Sequence, residues 1–235
     1  MNFYRNKSDF SRSGFTLVEL AIVLVVVSLL LMALMGPLAA QQEQKAIMDT
    51  KRQMDEAKEA LFGFLVSNGR LPCPANPALL ATNANAGIAA ATCAAGPAEV
   101  GVLPWRTLGL KEVDGWNHRF TYRVASTFAT PPNVASVGNI SLLPQAGSAT
   151  QLTSVGEAVA VIVSHGHHAD GAWGVDGIKL PDSADADEAE NSNIDQTFVD
   201  HANTATQPTS PYDDIVLWIP RNLVFNKLIA AGRLP

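Results

Sequence analysis

The sequence predicts an α+β fold: a long N-terminal helix packed on an antiparallel β-sheet, with long loops and a short C-terminal helix. Three observations carry this. From Phe15 to Met35 every residue is apolar or small except Thr16, Glu19 and Ser28, and an amphipathic stretch follows beyond Gly36-Pro37. Ala158–Ser164 is a short β-branched run bounded by Gly156 and Gly166, the pattern of a strand covered on both faces. Pro220 to Ala231 places Leu223, Val224, Lys227, Leu228 and Ala231 at helical spacing ahead of Gly232.

Residues 1–14 form a polar leader with Arg5, Lys7 and Arg12 against Asp9, net positive and so expected to stay cytoplasmic. The apolar run 15–35 is about 30 Å long as a helix, enough to cross a bilayer core. A single charge, Glu19, stands near its start. A carboxylate there costs roughly 2–3 kcal/mol, so it needs a reason, and the default reason is function. Gly36-Pro37 then predicts a kink, because proline removes a backbone hydrogen bond and crowds the preceding turn.

Residues 36–69 read as the amphipathic half of the same helix. Ile47, Met54, Ala57, Leu61 and Leu65 lie on one face, charged residues fill the others, and Asn68-Gly69 with Pro72 ends it. Residues 70–235 read as one globular domain of the exported side. Its loop up to Pro97 is rich in Ala, Asn and Pro, and Leu103–Leu110 is a compact apolar turn segment. The strands expected are Phe120–Val124, Asn139–Leu143, Ala158–Ser164, Thr197–Asp200 and Asp214–Ile219. Their loop-rich connections favour antiparallel pairing.

Ser13-Gly14-Phe15-Thr16-Leu17-Val18-Glu19 ahead of the apolar run resembles the class III signal of type IV prepilins and type II secretion pseudopilins. The resemblance is tight from Ser13 to about Met35. It implies a pilin-like fold and cleavage by prepilin peptidase between Gly14 and Phe15. It also implies N-methylation of Phe15, with Glu19 as the fifth mature residue, the charge that guides docking of an incoming subunit. The partners implied are the peptidase, other pilin or pseudopilin subunits, an inner-membrane assembly platform and membrane lipid. The localisation implied is a single pass of the inner membrane with a periplasmic C-terminal domain, then a pilus or pseudopilus. Asp114-Gly115-Trp116-Asn117 through Tyr122 is partly similar to the segment that enters the first strand of major pseudopilins, with Asn117 where that family has glycine.

Two other readings compete for the N-terminus. A secretory signal peptide has an apolar core of only about 7–15 residues and no acid in it, and Leu38-Ala39-Ala40 is a mediocre cleavage site for one. A plain anchor on a periplasmic binding domain that never polymerises leaves Glu19 unexplained.

The formal net charge is −6, and loss of three basic residues and one acid with the leader takes it to −8. A negative chain with no basic cluster argues against nucleic acid as a partner. Cys73 and Cys93 are the two cysteines. Outside the cytoplasm one bridge between them is the simplest reading, closing a loop of about 20 residues and contributing about 3 kcal/mol.

Phosphate loops, nucleophile elbows and dinucleotide fingerprints are absent, so an enzyme is not expected. Ser164-His165-Gly166-His167-His168-Ala169-Asp170 offers imidazoles for a metal, but such a local cluster reads more simply as a solvated turn. No cofactor is assigned. Asp182, Asp185, Asp187 and Glu188 form an acidic loop that calcium, held in a C-terminal loop by the major pseudopilins, is able to use. The plain alternative is a solvated charge run.

Overall fold

A computed structural model describes residues 16–93, 95–204 and 211–234. Two compact units divide the chain, Met1–Gln44 and Lys45–Pro235. In the first unit the described residues are helical from Leu17 on, the beginning of α1 (Leu17–Asn68). The backbone stays helical through Gly36 and Pro37. The leader, with Gly14 and Phe15, lies outside the described residues.

In the second unit the rest of α1 buries Met54, Ala57, Leu61, Phe62 and Leu65, while Ile47 is half-buried. These side chains pack on Tyr122, Val124, Val159, Ala160, Ile162 and Ile219 of the sheet and on Val224 and Leu228 of the C-terminal helix. The amphipathic stripe is therefore core, as its spacing predicts. The chain leaves α1 at Gly69, which has φ +72° and donates its N–H to Leu65 O, a left-handed cap.

The main sheet has the order β1-β2-β4-β6, antiparallel throughout, from β1 (Val100–Val102), β2 (Thr121–Val124), β4 (Ala158–Ser164) and β6 (Ile215–Pro220). Every residue of β4 is buried. One of its faces meets α1, and the other, through Val161 and Val163, meets Ile140, Leu142 and Phe198. Those residues belong to or flank β3 (Ser141–Leu143) and β5 (Thr197–Val199), which form a separate two-stranded sheet.

Two expectations need correction here. β3 and β5 pair in parallel, and they layer over the main sheet instead of extending it. The long connection between them, which includes β4, makes a parallel return possible. β1 was not expected at all, because three residues are too few to show a period.

Short helices complete the unit: α2 (Trp105–Leu108), α3 (Ser126–Ala129), α4 (Ala186–Ser192) and α5 (Arg221–Ala230). Cys73 and Cys93 are joined by a disulfide, with Cα atoms 5.7 Å apart. The segment Asp114–Asn117 is a turn docked on α1. Asp114 Oδ1 accepts from Trp116 N and His118 N, Thr50 Oγ1 accepts from Gly115 N at 3.0 Å, and a Cβ on Gly115 would overlap Ala46 O.

Candidate functional site

The start of α1 is held by a reciprocal cap. Thr16 Oγ1 accepts from Glu19 N at 3.2 Å, and Glu19 Oε2 accepts from Thr16 N at 3.2 Å. The pair Thr16-x-x-Glu19 is thus a capping box, satisfying two backbone donors that a helix start leaves open. From Leu17 to Met32 the large apolar side chains are all exposed, 44–89 % for each. Ser28 hides its hydroxyl by donating to Leu24 O at 2.6 Å, which leaves this stretch without an open polar group apart from its capped end. Among the described residues no helix is long and apolar enough to cross a membrane. The sequence itself stays apolar for three residues beyond Met32, to Met35.

A second constellation forms at one end of the main sheet. The antiparallel register pairs Ser164 of β4 with Ile215 of β6, so the turn leaving β4 faces the residues entering β6. His165, Gly166 and His168 come from the first, Asp213 and Asp214 from the second, and Glu188 from α4. The turn is tight: Gly166 and Ala169 both have positive φ, and Ala169 N donates to His165 O at 2.9 Å. Glu188, Asp213 and Asp214 are all at least nine-tenths buried.

Their partners are few: two backbone N–H groups, Ser183, Asn191 and two histidines. Glu188 Oε2 accepts from Ser183 Oγ at 2.7 Å, and its Oε1 accepts from Asp213 N at 3.1 Å. Asp213 Oδ2 accepts from His168 N at 2.9 Å and lies 3.1 Å from His168 Nδ1. Asp214 Oδ2 accepts from Asn191 Nδ2 at 2.8 Å, and its Oδ1 is 3.5 Å from the buried His165 Nδ1. Among the described residues no lysine or arginine pairs with these three carboxylates. Burial pushes the pKa of Asp213 and of Glu188 up, and the neighbouring Asp214 adds to both rises.

The histidine turn is therefore not simply solvated: His165 is buried and His168 only about one-third exposed. The four acidic-loop residues have separate positions. Asp182 pairs with Lys179 at 2.6 Å, which holds its carboxyl below the usual range. Asp185 caps α4 through Asp187 N and Glu188 N. Asp187 accepts from Ala146 N at 2.6 Å and sits 3.1 Å from His201 Nε2. Glu188 turns inward to the cluster.

Comparison with family models matches residues 9–35 to the prokaryotic N-terminal methylation motif. The chain carries a prepilin-type signal. That signal is the one found on type IV pilins and pseudopilins. It supports processing by prepilin peptidase and implies an inner-membrane anchor with an exported domain. Neither curated proteins nor solved structures give a match to the chain.

Within the prepilin-type signal, the capping role of Glu19 went unread although Thr16-x-x-Glu19 spells it in the sequence. Asp213 is a site residue that the sequence barely marks. Its only sequence signal is that two acids stand directly before an apolar strand.

Proposed function

We propose that this chain is a non-enzymatic minor pilin or pseudopilin. It inserts once in the inner membrane with its leader in the cytoplasm. Prepilin peptidase cuts between Gly14 and Phe15 and methylates Phe15. The subunit then joins a type IV pilus or a type II secretion pseudopilus through its apolar helix, with the bend of that helix at Gly36-Pro37. The observation that carries this reading is the prepilin-type signal over residues 9–35, with Glu19 as the fifth residue after the cleavage point.

The geometry of Glu19 supports it. Its carboxylate already caps the N–H of Thr16, one residue from the amine that cleavage creates on Phe15. A buried carboxylate gains most from a positive partner, and the new amine of its own chain or of a staggered neighbour supplies one. The exposed apolar side chains from Leu17 to Met32 suit burial first in lipid and then against other subunits.

Intact mass of the protein from membranes of cells with and without the peptidase tests the proposal. Loss of residues 1–14 and gain of one methyl group, only with the peptidase, is the expected result. An uncut mass would instead mean a static anchor on a domain that never polymerises. A cut near Ala40 would mean an exported soluble protein. With processing established, Glu19→Val is expected to insert normally and to enter filaments at less than a tenth of the wild-type level. Wild-type incorporation would remove the role given to Glu19.

A further inference from the structure

We propose that His168, Glu188 and Asp213 bind one divalent transition-metal ion of the zinc class, which ties the turn after β4, the start of β6 and α4 into one unit. One atom from each of the three residues lies within 4.8 Å of the others. His168 Nδ1 is 3.1 Å from Asp213 Oδ2 and 3.9 Å from Glu188 Oε1. Ligands at about 2.0–2.1 Å from a tetrahedral ion stand about 3.3 Å apart, so the cluster closes on an ion with small side-chain movements.

An independent observation points to a missing partner. Asp213, only 4 % exposed, buries its Oδ1 without a well-aligned hydrogen bond, although the backbone N–H of His167 stands near enough to lower the carboxyl's pKa. A buried carboxylate oxygen without a donor costs free energy unless a cation supplies the interaction. The fold brings this oxygen against the backbone of the histidine turn, where a Cβ on Gly166 would overlap it. Glycine at that position is what lets the turn carrying His168 approach so closely.

The donor set selects the ion. Calcium prefers six to eight oxygens, whereas one imidazole with two carboxylates suits zinc and its neighbours and leaves a fourth position for water. The surroundings resemble those that orient metal ligands. Ser183 holds one oxygen of Glu188, while Asp214, itself held by Asn191, stands behind beside His165. His168 is the partly exposed member, so an ion reaches the site from its side.

The inference is independent of the assembly role and is tested on the full chain in detergent. The protein is stripped with chelator, then titrated calorimetrically with zinc chloride and, separately, with calcium chloride. The expected result is one zinc per chain with a dissociation constant on the order of micromolar or tighter, accompanied by a rise in melting temperature. His168→Ala, a substitution at the partly exposed rim, is expected to weaken zinc at least about tenfold with an unchanged circular dichroism spectrum. Asp213→Asn is expected to do the same, and His167→Ala to leave the affinity within about twofold. Absence of stoichiometric zinc binding, or wild-type affinity in His168→Ala, overturns the site. Tight calcium binding in place of zinc overturns the donor argument.

Discussion

Glu99 and Glu188 are both almost wholly buried, at 0 % and 1 % exposure, yet their surroundings are opposite. Glu99 closes a 3₁₀ turn (Pro97–Glu99) before β1 and meets Arg123 Nη2 of β2 at 2.5 Å. Ser126 N and Asn139 Nδ2 also donate to it, at 2.7 and 3.0 Å. Arg123 donates Nη1 to Ile194 O and Asp195 O, while its buried Nε has no hydrogen-bond partner. Burial raises the pKa of Glu99, but these donors outweigh it and hold the carboxyl below the usual range. Glu188 lies beside Asp213 and Asp214 with no lysine or arginine pairing to them among the described residues, and its pKa moves up. The fold thus solves the problem of a buried acid internally at one place and leaves it open at the other. A site left open in this way is where a cation from outside has the most to contribute.

The largest expected effect breaks the closed site. Arg123→Leu strands the charge of Glu99 and should cost about 3–5 kcal/mol in denaturant melts. Adding Glu99→Leu should recover much of that loss, because the pair as a whole offsets its own desolvation only in part. A cost under about 1 kcal/mol for Arg123→Leu would show that the pair contributes little and that the contrast is false.

The next effect sharpens the comparison through pH. The folded pKa of Glu99 is depressed, so its contribution is present above the unfolded value of about 4.3 and is lost as pH falls through the folded value. Wild type should therefore lose stability over that acid range, and Glu99→Gln should lose less of it. For Asp213, which faces His168, Glu188 and Asp214, the folded pKa is raised, so the sign reverses. Its charged form costs stability at neutral pH, and the cost fades as pH falls towards the unfolded value. Melting curves in chelator from pH 7 to pH 3 separate the two trends.

The smallest effect is Asp213→Asn in chelator at pH 7.5. Removing one of three crowded charges should leave stability unchanged or raise it by about 1 kcal/mol. A loss comparable to that of Arg123→Leu would mean that the carboxylate cluster is already compensated.

Much of the architecture is legible in local pattern. The stripe Met54, Ala57, Leu61 and Leu65, the apolar run of β4, the helical spacing of α5 and the pairing of Cys73 with Cys93 all appear where spacing or chemistry places them. What is not legible depends on contacts between distant segments. The parallel pairing of β3 with β5 leaves no trace in either strand, since alternation is the same in both directions. Buried Arg119 and Arg123 look like the polar face of a strand until Glu112 and Glu99 are seen beside them. The His168–Glu188–Asp213 cluster is drawn from three segments, two joined by the register of β4 with β6 and the third, α4, by the hydrogen bond from Asp213 N to Glu188 Oε1. Gly166 between histidines, and the doublet Asp213-Asp214 before a strand, are the traces it leaves in sequence.

The strand order has a consequence for how the subunit is made. β4 is the centre of the core, but one of its edges is covered only by β6, which starts at Ile215, near the end of the chain. β6 follows β4 in the chain, so when the N-terminal end is delivered first that edge stays open until β6 arrives. An open apolar edge is a template for pairing with other chains. A chain cut short before β6 would carry an intact α1 joined to an unfinished sheet whose central strand keeps one edge unpaired.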